Sequence, residues 1–216
     1  MKLLSPFGPF IGKFKLEKEI VDILNSYADK TLKSEEALRK NNLASHLEGR
    51  VTSEYSVPIS VLENCFDFFA NCALEYLRGI AKERPDAGWS HQYLISLQSA
   101  WINSMFAGDC NPVHHHDGSC QLVGTAFLKL PDFSDEHKKE TDAGKKRHVA
   151  GCLEVLHGQP SLLSPSQYLI NPEVGDFYMF PASTYHTVYA FKSAGERRSF
   201  AINLSAQQVQ KQKKQD

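Results

Sequence analysis

Asn111-Pro112-Val113-His114-His115-His116-Asp117-Gly118 is the stretch on which the reading of this chain turns. Three consecutive histidines and a carboxylate sit between the turn signals Gly108-Asp109 and Gly118. Three adjacent imidazoles cannot all be buried without partners, and a loop that faces only water has no use for them. A divalent metal such as Fe(II) needs two or three such ligands on a stiff backbone. In an extended chain side chains alternate between faces, so two ligands from one strand lie two residues apart. Two pairs meet that rule, His115 with Asp117 and His114 with His116, and they point to opposite faces. Either pair needs a third ligand from elsewhere in the chain.

Working outward, the segments after Gly88 are strand-like. Tyr93–Gln98, Ala100–Phe106, Val123–Leu130, Cys152–His157, Gln167–Ile170, Asp176–Phe180, His186–Phe191 and Arg198–Leu204 are short, apolar or alternating, and bounded by Gly, Pro, Asp or Asn. Strands at that spacing with no helix between them predict an antiparallel sandwich or jelly roll rather than a parallel sheet. The N-terminal part reads differently. Residues 1–15 are rich in Pro, Gly and Phe and read as an extended segment lying across something. Ile20, Ile23, Leu24 and Tyr27 recur at helical spacing, and so does the stripe Val61, Cys65, Phe68, Phe69, Cys72, Tyr76 and Ile80, which reads as one helix packed on a sheet. Residues 33–55 are polar and read as loop with room for one more helical turn. Residues 132–148 are densely charged and read as a solvated loop, or as a lid if they border an active site. The expected fold is therefore α+β, mainly β: a jelly roll with N-terminal helices packed on one sheet. It makes a single domain over 1–206, with a helical layer at about 1–85, a core at about 90–206, and a polar tail at 207–216.

Composition narrows the function classes. The chain has 216 residues, 42% hydrophobic and 23% charged, with a formal net charge of −1, so it carries no electrostatic footprint for nucleic acid. No run of about 18 apolar residues occurs, and Pro6 and Gly8 interrupt the N-terminus too early for a secretory signal. The five cysteines are odd in number, widely spaced and without a CxxC pair. That argues against a disulfide framework and for a reducing cytoplasm.

The distal half supplies the partners of the histidine cluster. Gly175-Asp176-Phe177-Tyr178-Met179-Phe180-Pro181 is a turn, a strand and a stop, and it leads to His186. With His186, the pair His115 and Asp117 makes the two-histidine, one-carboxylate facial set of non-haem Fe(II) oxygenases. The pair His114 and His116 makes a neutral three-histidine set that can also hold Fe(II). One strand later come Arg197, Arg198 and Ser199. An arginine so placed presents a fork to the far carboxylate of a dicarboxylate ligand, and Ser199, on the same face as Arg197, can add a hydrogen bond.

Those residues resemble the 2-oxoglutarate/Fe(II)-dependent oxygenases, and within them a prolyl-hydroxylase-like group common in bacteria and marine phages. The resemblance rests on Trp101-Ile102-Asn103, the histidine stretch, Phe127-Leu128-Lys129-Leu130-Pro131, Gly175 through Pro181, His186, Arg197 through Asn203, and the opening Pro6-Phe7-Gly8-Pro9. It implies a double-stranded β-helix, Fe(II), 2-oxoglutarate as co-substrate, and O₂. The wider superfamily carries HxD, which falls on His115 and Asp117. The nearer group carries HxH, which falls on His114 and His116, and that pair with His186 is the preferred metal set. Arg197 falls on the family's 2-oxoglutarate arginine, and Arg198 would face away. Where the family often has a tyrosine this chain has Phe127, so Asn103, Ser199 or another residue must supply the missing hydrogen bond to the co-substrate. The resemblance implies hydroxylation of a prolyl residue in a protein or peptide, or of a small molecule, with no catalytic residue beyond the metal centre. The expected setting is the cytoplasm, the host's if a phage encodes the chain, with no membrane and with a homodimer allowed. Two other classes remain: a cupin-like metalloprotein that does not use 2-oxoglutarate, and a silent binding module on the same fold.

Overall fold

A computed structural model describes residues 8–41, 51–87, 92–116, 118–162 and 164–209. Asp117, Gly49, Gly88, Pro6, Phe7 and residues 210–216 lie outside the described residues. In chain order the elements are β1 (Gly12–Lys15), α1 (Lys18–Leu32), α2 (Glu35–Asn41), β2 (Ser53–Ser56), α3 (Ile59–Leu62), α4 (Phe66–Glu83), β3 (Tyr93–Met105), β4 (Asn111–His114), β5 (Leu122–Lys129), α5 (Ser134–Asp142), β6 (Leu153–Leu156), β7 (Gln167–Ile170), β8 (Asp176–Pro181), β9 (Tyr185–Val188) and β10 (Arg197–Gln208). The strands form a six-stranded sheet in the order β1-β8-β5-β10-β3-β2 and a four-stranded sheet in the order β4-β9-β6-β7. The pairings within each sheet are antiparallel.

Alternation along β10 shows why two layers form. Phe200, Ile202 and Leu204 point to one face of the large sheet and join Ala100, Ile102, Ala126, Phe177 and Met179 there. Ile20, Leu24 and Ala28 of α1, and Phe69, Cys72, Ala73 and Tyr76 of α4, cover that face. The ring of Phe69 lies 5.2 Å from that of Phe177 and 5.1 Å from that of Phe200. All three are fully buried, and each such burial contributes about 2–3 kcal/mol. Arg197, Ser199 and Ala201 alternate to the other face, which the small sheet covers. Val123, Phe127, Tyr178 and Phe180 of the large sheet meet Leu153, Val155 and Ile170 of the small one. Arg198 points into the helical layer, where Glu196, Asn25 and Asp29 bind its guanidinium.

The helices lie on one sheet as expected, but several elements differ from the sequence reading. Residues 93–106, read as two strands, carry the single strand β3, which ends at Met105. The break falls where Asn203 pairs with Ser99 and Leu204 with Leu97, so Gln98 is the extra residue of a β-bulge. The stripe read as one helix is split, because Cys65 leaves helical geometry (φ −142°) between α3 and α4. The N-terminal segment is not only helical: β1 pairs with β8, and β2, read as loop, pairs with β3. The strand at the C-terminus runs on to Gln208, into the segment read as tail. The charged segment 132–148 contains α5, which is pinned rather than loose. Glu136 accepts the backbone N–H groups of Lys192 and Ser193 and the Ser193 hydroxyl.

One glycine fixes how closely the helical layer approaches. A Cβ on Gly124 would lie 2.5 Å from the Phe177 ring and 3.0 Å from Ile202 Cγ2. Because Phe177 is wedged between β5 and the helices, it cannot yield. Gly124→Ala is expected to cost about 1–3 kcal/mol of stability, read as a lower midpoint in urea denaturation.

Candidate metal centre

The register of β4 against β9 builds the centre. His114 pairs directly with His186 across the two strands. The strand β4 ends at His114, and the backbone N–H of His116 then donates to the Ala182 carbonyl at 2.9 Å. That bond holds the chain beside β9, so His116 returns to the side taken by His114. The ring centroids of His114 and His186 lie 4.2 Å apart, those of His116 and His186 5.2 Å, and those of His114 and His116 5.4 Å. One ligand nitrogen from each falls within 4.8 Å of the others. No other group of three or more His, Cys, Asp or Glu among the described residues has such spacing.

The ring orientations suit a metal. Nδ1 of His114 lies 2.7 Å from the Pro112 carbonyl, and Nδ1 of His186 lies 3.0 Å from that of Thr184. A carbonyl only accepts, so Nδ1 carries the proton in both rings and Nε2 keeps its lone pair for a metal. Burial, and next the neighbouring His114, pull the pKa of His186 down to about 3. Its imidazole is therefore neutral at physiological pH. His115, from the other pair, is exposed and turns away, with its ring edge-on to Tyr185 at 4.8 Å. Its partner Asp117 lies outside the described residues.

Arg197 is on the inner face of the large sheet and is 1% exposed. Its Nε donates to the Gly151 carbonyl at 2.8 Å, and Nη1 contacts Ser199 Oγ at 3.2 Å and Met105 sulfur at 3.5 Å. Gly151 offers that carbonyl from a left-handed backbone conformation (φ 64°), which glycine adopts at little cost. The Phe127 ring faces the guanidinium at 5.2 Å. Among the described residues no carboxylate pairs with Arg197. Burial lowers its pKa to about 10, so it stays charged at neutral pH. A buried cation without an anion is costly unless a ligand supplies the anion.

Asn103 lies opposite Ser199 on β3. Its amide nitrogen donates to Glu54 at 2.5 Å, and its oxygen accepts the Trp101 indole N–H at 3.3 Å. Trp101 in turn stacks on His116, with centroids 5.6 Å apart. The sequence reading missed Glu54, because β2 is four residues long and acquires strand character only by pairing with β3. Burial raises the pKa of Glu54 to about 7. A carboxyl whose folded pKa lies above its unfolded value near 4.5 loses stabilising effect as pH rises through about 7. Glu54→Gln is therefore expected to match the wild type at pH 4–5 and to be about 1–3 kcal/mol more stable at pH 8, measured by denaturation at the two pH values.

The donor set and the buried arginine thus fit a divalent metal beside a dicarboxylate. The five cysteines are all free, and no helix among the described residues is long and apolar enough to cross a membrane.

Comparison with known proteins agrees. Residues 99–203 match the sequence model of a 2OG-Fe(II) oxygenase family. No curated protein matches the chain at significance. Among solved structures, a Pseudomonas putida prolyl-4-hydroxylase is similar over 90% of this chain and 92% of its own, with 15% identity and a TM-score of 0.56. A prolyl hydroxylase from Trichoplax adhaerens, in complex with a hypoxia-inducible-factor peptide, is similar over 90% of this chain and 78% of its own, with 12% identity and a TM-score of 0.53. A non-haem α-ketoglutarate-dependent epimerase from nogalamycin biosynthesis covers the same shares, with 12% identity and a TM-score of 0.54. At these identities the structures bear on the fold, and the fold is theirs. The matched segment contains His114, His116, His186 and Arg197, and over it the chain is similar to the 2OG-Fe(II) oxygenases.

Proposed function

We propose that His114, His116 and His186 are the Fe(II) ligands and that Arg197, with Ser199, binds the distal carboxylate of 2-oxoglutarate. The observation that carries this reading is the buried guanidinium without an acidic partner among the described residues, on the inner face that the small sheet covers. Three neutral imidazoles leave the full double charge on the metal, and the arginine adds a third positive charge. A dianion that chelates through its keto-acid end and reaches back with its other carboxylate matches that distribution. A cupin-like centre that does not use 2-oxoglutarate would have no need of Arg197 in this state.

Bound Fe(II) supplies the coupling of 2-oxoglutarate decarboxylation and O₂ reduction to oxidation of a C–H bond. The chain's own residues orient and exclude. Pro112 and Thr184 carbonyls fix two imidazoles by their Nδ1–H groups, Phe180 closes on His186 at 5.2 Å, and Phe127 seals the arginine from water. The primary substrate we infer is a prolyl residue of a peptide or a small molecule, since two of the similar folds are prolyl hydroxylases. Five free thiols suit a reducing compartment, so we place the enzyme in the cytoplasm.

The test is direct. Anaerobic Fe(II) titration of the purified chain should give one site, and 2-oxoglutarate should then add a visible charge-transfer band. Admission of O₂ should release succinate and CO₂ in equal amounts. A chain that binds Fe(II) but gives no spectral change with 2-oxoglutarate would refute the assignment of Arg197.

A further inference from the structure

Among the described residues, buried carboxylates come with donors set against them, with one exception. Asp109 accepts the backbone N–H groups of Thr52 and Phe106. Glu154 holds Arg147 and the Tyr189 hydroxyl. Asp176 holds Lys13 and Lys15, and Glu196 holds Arg198 and Lys129. Glu54 is 7% exposed, yet among the described residues it meets only the neutral amide of Asn103. Leaving a carboxylate so placed costs free energy that a cation would offset.

Its position says where that cation comes from. Glu54 pairs with Asn103 and Asn103 with Ser199, so the three form one row across β2, β3 and β10. Neighbouring strands lie about 4.8 Å apart, which puts Glu54 roughly 10 Å along the row from Ser199. One step down β3 on the same face, Trp101 stacks on His116. Asn103 is held at both ends, by the Trp101 indole and by Glu54, so it fixes the carboxylate rather than neutralising it. The carboxylate therefore stands at the β2 edge of the inner face. It lies on the side of Trp101 and His116, across β3 from the arginine that would take 2-oxoglutarate.

We propose that Glu54 anchors a positively charged group of the primary substrate, an ammonium or guanidinium, and so makes the enzyme selective for a basic amine, amino acid or peptide residue. This rests on the reading of the histidine and arginine site above. Asn103 is the positioning residue for the anchor, and removing it would loosen the carboxylate without removing its charge.

The test is a binding experiment on the full chain loaded anaerobically with Fe(II) and 2-oxoglutarate, followed by calorimetry and ligand-observed NMR. The probes are pairs that differ only in charge: L-arginine against L-citrulline, L-lysine against Nε-acetyl-lysine, and acetyl-Lys-Pro-Gly-amide against its ε-acetylated form. In at least one pair the cationic member should bind about tenfold tighter or better. Glu54→Gln should erase that preference and Glu54→Asp should retain part of it. The peptide and free amino acid arms distinguish the two sources of the charge. Equal binding within every pair, no binding by any probe, or a preference that survives in Glu54→Gln would overturn the proposal. The same titrations without metal read Glu54 alone. A chain that lacks affinity for Fe(II) and 2-oxoglutarate but keeps the charge preference would sink the site assignment and leave the anchor standing.

Discussion

His186→Ala is expected to weaken Fe(II) binding on the order of a thousandfold and to abolish succinate release at micromolar iron. The size follows from the ligand count. Residues that only orient a metal's ligands cost 10- to 100-fold when removed, at about the level known from metal sites generally, and a direct ligand costs more. His186 is also the most buried of the three and the one both others face, at ring distances of 4.2 and 5.2 Å. Its removal leaves two imidazoles with no common third donor among the described residues. Anaerobic titration with a competing chelator measures the loss directly. His115→Ala, by contrast, should bind Fe(II) within about twofold of the wild type, because that ring turns out toward Tyr185. Comparable losses in the two variants would mean that the inward pair is not His114 with His116.

Arg197→Met carries the second large effect, and it has two signs. With 2-oxoglutarate, the loss of a buried charge-assisted contact should raise KM for the co-substrate about 30- to 1,000-fold, while Fe(II) affinity stays near that of the wild type. Without ligand, the same change removes a buried cation that has no carboxylate against it among the described residues and fills its place with an apolar chain. The free protein should therefore be as stable as the wild type or more so. Thermal unfolding with and without 2-oxoglutarate and Fe(II) separates the two: the wild type should gain stability from the co-substrate and the variant should not. A variant that is destabilised when free, yet still responds to 2-oxoglutarate, would make Arg197 a structural residue.

The order of parts was legible from the chain because each part has a local cause. The stripe of Phe69, Cys72 and Tyr76 has helical period, and the turn signals around Asp176–Pro181 bound a strand. Arg197 and Ser199 share a face because a strand repeats every two residues. The charged segment 132–148 was misread because composition reports solvation and not docking. Glu136 of α5 is satisfied by N–H groups 56 and 57 residues away, at Lys192 and Ser193. Residues 53–56 were misread for a similar reason, since an edge strand that short exists only against β3.

By itself the sequence determined that two amphipathic helical stretches precede most of the strands, that a histidine cluster, a later histidine and an arginine occur in the order of an oxygenase, and that Arg197 and Arg198 point to opposite faces. Local periodicity and spacing suffice for each. It could not choose between His114 with His116 and His115 with Asp117, because both pairs obey the same two-residue period. Among the described residues, tertiary structure sets His114 and His116 beside His186, through the pairing of His114 with His186 and the bond from His116 to Ala182. It alone also brought Glu54 to the row of Asn103 and Ser199, because that contact depends on the register between distant strands.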